Sequence, residues 1–518
     1  MKSLADITKE KIWKLEKENA LGKIKIDQIP IWWFFKPLLI VNTLPKPFYN
    51  FEEIINNKDK NPIRFAKTEV FSNLLKKYLL HNEKKKYQIR KKNNKHNNKE
   101  KILFLTYSNH IKENSILRIS PILKNLPKKT NIEPFILTTD LISNKANGKI
   151  NNHEHTIYDY LTEDIFQKSK KTAEEITKYY KKIKKIDLQN RLSQELNFLF
   201  SKEMLTLTIV YYLACRVMLK KENIKEVVIT ADTGFLDRAL IASLKKENIP
   251  LTIIHHGNPG SIPIETFSNT KLCVKGNFYL RNVKKAKFRG EVILTGSIDH
   301  DKILKFKRII KKDKKNILIT TSPLVEDNFI KEEKYKEIIK NLIESITKLD
   351  NVNIHISLHP REKNIELYKK LAENHKNITV TKKVDINYLY KSLNNSDVVI
   401  SSGSGSAIEA IVLNKPVIYL NLFGKNTPYI QLCKNQKAVI ETPQNQLYTT
   451  LKRIFEDKKL KEKIKNEREN FIKDYCYKID GKSTERITKE ILTSIKDGRK
   501  NIRKTGKLGR AVKQRTKS

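Results

Sequence analysis

Cysteine is scarce in this chain of 518 residues. The four present, Cys215, Cys273, Cys433 and Cys476, lie far apart. No C-x-x-C pair exists, which argues against a zinc cluster or a dithiol redox motif and fits reduced thiols. No apolar run reaches the ~18 residues of a membrane-spanning helix. The N-terminal MKSLADITKEKIWKLEKEN is charged throughout and has no apolar signal core. Acidic residues are also short: 57 Asp and Glu stand against 103 Lys and Arg, a formal charge of +46. Such an excess favours anionic partners, whether phosphorylated substrates, an acidic membrane face or nucleic acid. Part of it reflects a general abundance of Lys, Asn and Ile. In the basic run over 82–101 no aromatic residue beyond Tyr87 is interleaved, so base stacking is not supported there and nucleic acid is not expected.

What is present is an alternation of strands and helices. Apolar runs at 101–106, 133–139, 226–231, 251–257, 271–276 and 291–296 read as one sheet, with a polar, mostly helical insertion over 140–200 and a long apolar helix over 203–224. A second series opens at 315–322 and continues through 351–421. The chain is too long for one core, and strand–helix alternation predicts parallel, doubly wound sheets. The expected division is an N-terminal extension over 1–100, a first Rossmann-like domain over 101–310, a second over 311–495 and a basic tail over 496–518 that holds ten Lys or Arg. Ile12 and Leu15 would share one face of a short helix. Residues 82–101 read as a flexible basic linker. The aromatic stretch IPIWWFFKPLLIV (29–41) is too short to span a bilayer. Two readings stay open for it: tryptophan at a membrane interface, or packing against the first domain.

Chemistry concentrates between 351 and 421. Val352, Ile354, Ile356 and Leu358 alternate with polar residues and lead into His359-Pro360-Arg361. DVVI (397–400) runs into Ser401-Ser402-Gly403-Ser404-Gly405-Ser406 and then into the helical AIEAIVL. Strand, small-residue loop and helix make an anion site. Gly403 and Gly405 admit a close backbone approach, the first helical N–H groups point outward, and Ser402, Ser404 and Ser406 add hydroxyls. Glu409, one turn in, is placed to accept hydrogen bonds from a ribose. His359 and Arg361 stand at the C-terminal end of a neighbouring strand, the edge where open parallel sheets bind ligands.

These motifs resemble the donor half of GT-B glycosyltransferases of the surface-polysaccharide type. Related families are the UDP-N-acetylglucosamine 2-epimerases and the CDP-glycerol glycerophosphotransferases. Further segments agree: 230–257 (TADTGFLDRALIASLKKENIPLTIIHHG), 272–280, 292–303 (VILTGSIDHDKI) and 479–487 (IDGKSTERI). The resemblance implies two Rossmann-like domains facing a cleft and a last helix, 482–497, that crosses back to the first domain. It implies a nucleotide-sugar donor and a cell-surface glycan or lipid-linked acceptor. The aromatic Trp32-Trp33-Phe34-Phe35, the +46 charge and the basic tail from Lys496 lead to the expectation of a cytoplasmic enzyme that visits the inner face of the membrane, as a lipid-linked acceptor would require. An inverting transferase needs a base for the acceptor hydroxyl; Asp232 and His256, at successive strand ends, are the candidates. Arg361 and the 403–406 loop would stabilise the leaving diphosphate. No D-x-D pair ends a strand. Asp299-His300-Asp301 has the spacing but begins a helix and reads as a cap, so no metal or other cofactor is expected. Two departures narrow the family. The epimerases carry Gly-Thr-Arg-Pro-Glu after their first strand, where this chain has YSNHIKENS (107–115). Many retaining GT-B enzymes carry a glutamate eight residues before the helix glutamate, where this chain has Ser401. Glycosyl transfer is therefore the leading expectation. Polyol-phosphate transfer from a CDP donor, epimerisation and an inactive sugar-binding scaffold are the alternatives.

Overall fold

The computed structural model describes residues 20–36, 99–106, 118–126, 132–138, 154–183, 196–230, 234–254, 269–285, 288–306, 314–326, 329–382, 385–422 and 438–497, with a few positions between 10 and 17. Ile12 and Leu15, the linker before Lys99, Cys433 and the tail after Asp497 lie outside them.

Two parallel sheets organise the chain. The first contains β3 (Glu100–Thr106), β4 (Ile132–Thr138), β5 (Glu154–Thr156), β6 (Ile224–Ile229), β7 (Leu251–Ile254), β8 (Thr270–Val274) and β9 (Glu291–Leu294), in the order β5-β4-β3-β6-β7-β8-β9. The second contains β10 (Lys315–Thr320), β11 (Val352–Ser357), β12 (Ile378–Thr381), β13 (Val398–Ser401), β14 (Val417–Asn421) and β15 (Val439–Pro443), in the order β12-β11-β10-β13-β14-β15. In both, the chain starts at a central strand, moves outward on one side, then returns to the other side of that strand. This is the doubly wound order, and the reversal leaves a crevice beside the first strand of each sheet. The central strands are buried on both faces: Ile317, Leu318 and Ile319 in β10 and Val398, Val399 and Ile400 in β13 are at most 3% exposed. That burial is why they read as unbroken apolar runs. Helices cover the faces through one apolar stripe. In Glu332–Ile346 the buried residues are Tyr335, Ile338, Ile339, Leu342, Ile343 and Ile346, the i, i+3, i+4, i+7 spacing.

The last helix does cross back. Residues 483–497 place Ile487, Ile491 and Ile495 against Ile102, Phe104, Val228, Ile254, Cys273 and Ile298 of the first domain. Its N-terminus is held by Asp301, which accepts from Ser483 N (3.2 Å), Thr484 N (2.8 Å) and Thr484 Oγ1 (3.0 Å). The Asp299-His300-Asp301 reading is thereby corrected. These acids do not cap their own helix, whose N-cap is Ser297. Asp301 caps a helix remote in sequence, and Asp299 pairs with Arg118 at 3.2 Å. Arg486 completes the clasp, with Nε donating to Thr295 O (2.7 Å) and a two-pronged pair to Asp480.

The aromatic stretch packs into the first domain. A two-residue hairpin joins β1 (Lys25–Ile26) to β2 (Ile29–Pro30), and its corner residues Asp27 and Gln28 both have positive φ, 46° and 70°. Residues 31–36 then form a helical turn. Trp32, Phe34 and Phe35 are 0–1% exposed. Phe35 meets Phe200 and Phe235 edge-on at 5.5 and 6.1 Å, and Phe34 meets Tyr212 at 6.1 Å. The Arg238 guanidinium lies 3.3 Å from the Trp33 ring centre and donates to Trp33 O. Of the two readings, membrane interface and packing, the structure selects packing for these residues.

One buried group in the first sheet predicts a pH dependence. Glu226 is fully buried in β6; one carboxyl oxygen accepts from Thr252 (2.7 Å) and the other has no partner. Burial pushes its pKa from 4.5 to about 8, opposed by the Thr252 bond and by Lys271. The folded state therefore keeps a proton that the unfolded chain has released. Its stabilising contribution is complete below about pH 4.5 and is lost as pH rises to about 8. Glu226→Gln, which stays neutral, is expected to melt several degrees higher than wild type at pH 8.5 and at the same temperature at pH 4.5. Parallel melting curves across this range would remove the assignment.

Candidate functional site

The candidate site lies where β10 and β13 end side by side. Thr320 and Ser401 are register partners. Beyond them the chain keeps its hydroxyls inside: Thr320, Thr321, Ser322, Ser401 and Ser406 are each at most 6% exposed. Ser406 Oγ donates to Thr320 Oγ1 (2.9 Å) and lies 2.8 Å from Ser404 Oγ. One residue along, Thr321 Oγ1 accepts from the His359 N–H (2.9 Å). Two polar groups thus flank the end of β10 on opposite faces: Thr320 with Ser406 and Ser404 on one, Thr321 with the His359-Pro360-Arg361 turn on the other. Ser322 Oγ, the next hydroxyl along, is buried with no partner.

The loop departs from the expected open cradle. Ser401 Oγ accepts from Ser404 N (3.1 Å) and Ser404 Oγ accepts from Ser406 N (3.4 Å). Ala407 and Ile408 N–H groups donate to Ser404 O and Gly405 O. The first helical donors are thus occupied by the loop's own oxygens, and the helix Ser406–Val412 is only seven residues long, so its dipole adds little. The two glycines differ. Gly403 has φ +118°, a conformation that disfavours side chains. Gly405 has ordinary φ and ψ (−58°, −25°), is exposed, and a Cβ built on it meets nothing within 4 Å. Ser402 is half-buried.

His359 is half-buried and Arg361 exposed, at the end of β11. Glu409 turns toward the first domain. Its Oε2 is buried without a hydrogen-bond partner. Burial, with Asp299, raises its pKa to about 7, while Lys275 and Arg118 pull against the rise. Around it sit Asp299, held at about 2 because Arg118, Lys275 and Lys302 outweigh its burial, and His300, pushed to about 3 by burial and by Lys275. The junction between the domains is therefore charged and largely desolvated. Asp232 and His256 lie outside the described residues, and the structure gives no account of them. Nearby Asp237 accepts from Gly234 N (2.8 Å) and closes the N-terminus of the helix Phe235–Glu247. Sequence reasoning missed Thr320, Thr321 and Ser322. Their signal was a run of hydroxyl residues directly after an apolar strand, ILITTS (317–322).

Two doubly wound sheets, a crevice at each reversal and a returning last helix are the architecture of the GT-B fold. A family model described as UDP-N-acetylglucosamine 2-epimerase matches residues 264–492, or 229 of 518, under half of the chain. A crystal structure of UDP-N-acetylglucosamine 2-epimerase is similar at 14% identity and TM-score 0.50, covering 76% of this chain and 95% of that one. A putative UDP-N-acetylglucosamine 2-epimerase from Listeria monocytogenes is similar at 13% identity and TM-score 0.50, covering 77% and 97%. The wall teichoic acid polymerase TagF is similar at 14% identity and TM-score 0.46, covering 84% and 97%. No curated protein matches the sequence.

Proposed function

We propose that this protein is a glycosyltransferase. It binds a nucleotide-sugar donor on the second domain, over 311–495, and transfers the sugar to a cell-surface glycan or lipid-linked acceptor held by the first, over 101–310. The observation that carries the donor assignment is the set of buried hydroxyls at the β10 end, Thr320 bonded to Ser406 on the loop side and Thr321 accepting from the His359 N–H on the turn side. Buried hydroxyls at the C-terminal ends of two adjacent strands, flanked by an exposed arginine, suit a diphosphate better than an apolar ligand. In this reading Ser402, Gly403, Ser404, Gly405 and Ser406 line the diphosphate, Glu409 takes the ribose, and Asp232 or His256 activates the acceptor.

Epimerisation is the second reading, favoured by the family match over 264–492. Transfer is preferred because that match begins after β7 (Leu251–Ile254) and leaves out most of the first domain. That domain also carries YSNHIKENS at 107–115 in place of the epimerase segment. Among the described residues no helix is long and apolar enough to cross a membrane. Meeting a lipid-linked acceptor then falls to the basic surface and the tail from Lys496, where each Lys or Arg near anionic lipid contributes about 1 kcal/mol.

The test is a thermal-shift screen of nucleotide sugars followed by product analysis. A donor at 100 times its dissociation constant should stabilise the protein by about 2.7 kcal/mol. Transfer requires free nucleotide to appear only when acceptor is added. A C2-epimerised nucleotide sugar formed without acceptor would install the second reading.

A further inference from the structure

The His359–Glu362 turn contains a carboxylate to which the reading above gives no part. Glu362 is 3% exposed. Its Oε1 accepts from Tyr335 Oη and Tyr368 Oη, both at 2.9 Å, and the two phenols are 2.7 Å apart. Its Oε2 accepts from His359 N at 3.0 Å, and the Thr321 hydroxyl donates to it as well. The donors come from the helix Glu332–Ile346, the helix Ile365–Ala372, the end of β10 and the turn itself. A buried carboxylate contributes little net stability compared with an apolar side chain of its size, so its use here calls for a geometric reason.

The turn supplies one. Pro360 stands second in a four-residue turn, the position its fixed φ suits, and Glu362 N donates to His359 O at 2.9 Å. The Glu362 side chain reaches back to His359 N, so main chain and side chain lock the same two residues reciprocally. Within the turn, Arg361 N donates to His359 Nδ1 at 3.2 Å. Nδ1 is thereby an acceptor, and the neutral ring carries its proton on Nε2.

We propose that Glu362 is a positioning residue. It holds the turn so that His359 offers Nε2–H as a neutral donor, with the Arg361 guanidinium carried beside it. The ligand group this arrangement takes is an anionic oxygen of a nucleoside diphosphate. The proposal rests on the donor reading of this turn, and the two are separable by experiment.

In the full chain with nitrogen-15 histidine, a long-range proton–nitrogen spectrum should show one ring, absent in His359→Gln, in the Nε2–H tautomer. In Glu362→Ala that ring should average between tautomers, and Glu362→Gln should retain part of the wild-type signature. UDP, CDP and GDP are then titrated calorimetrically. Arg361→Ala should weaken the tightest of them by roughly 10- to 150-fold, the range for a charge-assisted contact. Glu362→Ala should weaken it about tenfold, and adding Glu362→Ala to His359→Gln/Arg361→Ala should cost nothing further. If Arg361→Ala binds like wild type, or wild type binds none of the three, the donor reading of the turn falls, and the tautomer spectrum still decides what Glu362 does. If Arg361→Ala is weakened while Glu362→Ala is not, or if Glu362→Ala still weakens binding in the His359→Gln/Arg361→Ala background, the positioning role is overturned. Should Glu362→Ala fail to fold, Glu362→Gln and Tyr335→Phe/Tyr368→Phe carry the same comparisons.

Discussion

Gly405→Val is expected to abolish nucleotide binding in a protein that still folds. The backbone at Gly405 lies in the ordinary helical region, and an added Cβ meets no atom within 4 Å. The fold therefore loses little beyond a poorer N-cap residue, about 1 kcal/mol. The space that receives the valine is the space the donor diphosphate needs if the loop is its cradle. A loss of at least a hundredfold, about 2.8 kcal/mol, is expected in calorimetric titration with UDP, CDP and GDP, with circular dichroism unchanged. Wild-type affinity in folded Gly405→Val would take the loop out of the site. Gly403 is the unsuitable partner for this experiment: at φ +118° any side chain is strained, so loss of binding there would confound fold and contact.

Trp32→Ala is expected to cost about 3–5 kcal/mol of stability, the range for deleting a large buried aromatic. Trp32 is 1% exposed, in the same hydrophobic core cluster as Phe34, Phe35 and Phe200. Its Nε1–H has no acceptor, so Trp32→Phe should be much the milder change. Urea unfolding measures both. The same variants decide what the aromatic stretch does at a membrane. Co-sedimentation with anionic vesicles should be equal for wild type and Trp32→Phe, and should fall at high salt as charge attraction is screened. A truncation before Lys496 should weaken it. Salt-resistant binding lost in Trp32→Phe would show that the segment leaves the core to insert.

The sheets were legible because strands buried on both faces leave runs such as ILIT and VVIS, which tolerate no polar interruption. The strands that escaped sit at the edges. β5 is Glu-His-Thr, and β15, Val439–Pro443, buries only Val439 and Thr442 and ends in proline. The position of the candidate site was legible for a related reason. A glycine/serine loop after β13, and a His-Pro turn after β11, with only β10 between those strands, share one sheet edge whatever the side chains do. Their internal bonding was not legible. Whether Ser401 and Ser404 hydroxyls leave the helix N–H groups open or occupy them depends on rotamers, and they occupy them. Thr321–Glu362 and Asp301–Thr484 join residues 41 and 183 positions apart, and neither has a local pattern. The aromatic stretch was ambiguous because burial in a core and burial in a bilayer select the same residues.

The returning helix has a consequence for synthesis. The face of the first sheet that carries Ile102, Phe104, Val228, Ile254 and Cys273 is covered by Ile487, Ile491 and Ile495. On the ribosome those strands emerge well before their cover, with the second domain between them. Domains made N-terminal first ordinarily complete themselves in that order. Here the first domain waits, with an apolar face open, until the whole of the second has been translated and Asp301 can seize Ser483 and Thr484. A nascent chain stalled anywhere before the last isoleucines is a chain with an unfinished core, and that interval is where chaperones would be needed most.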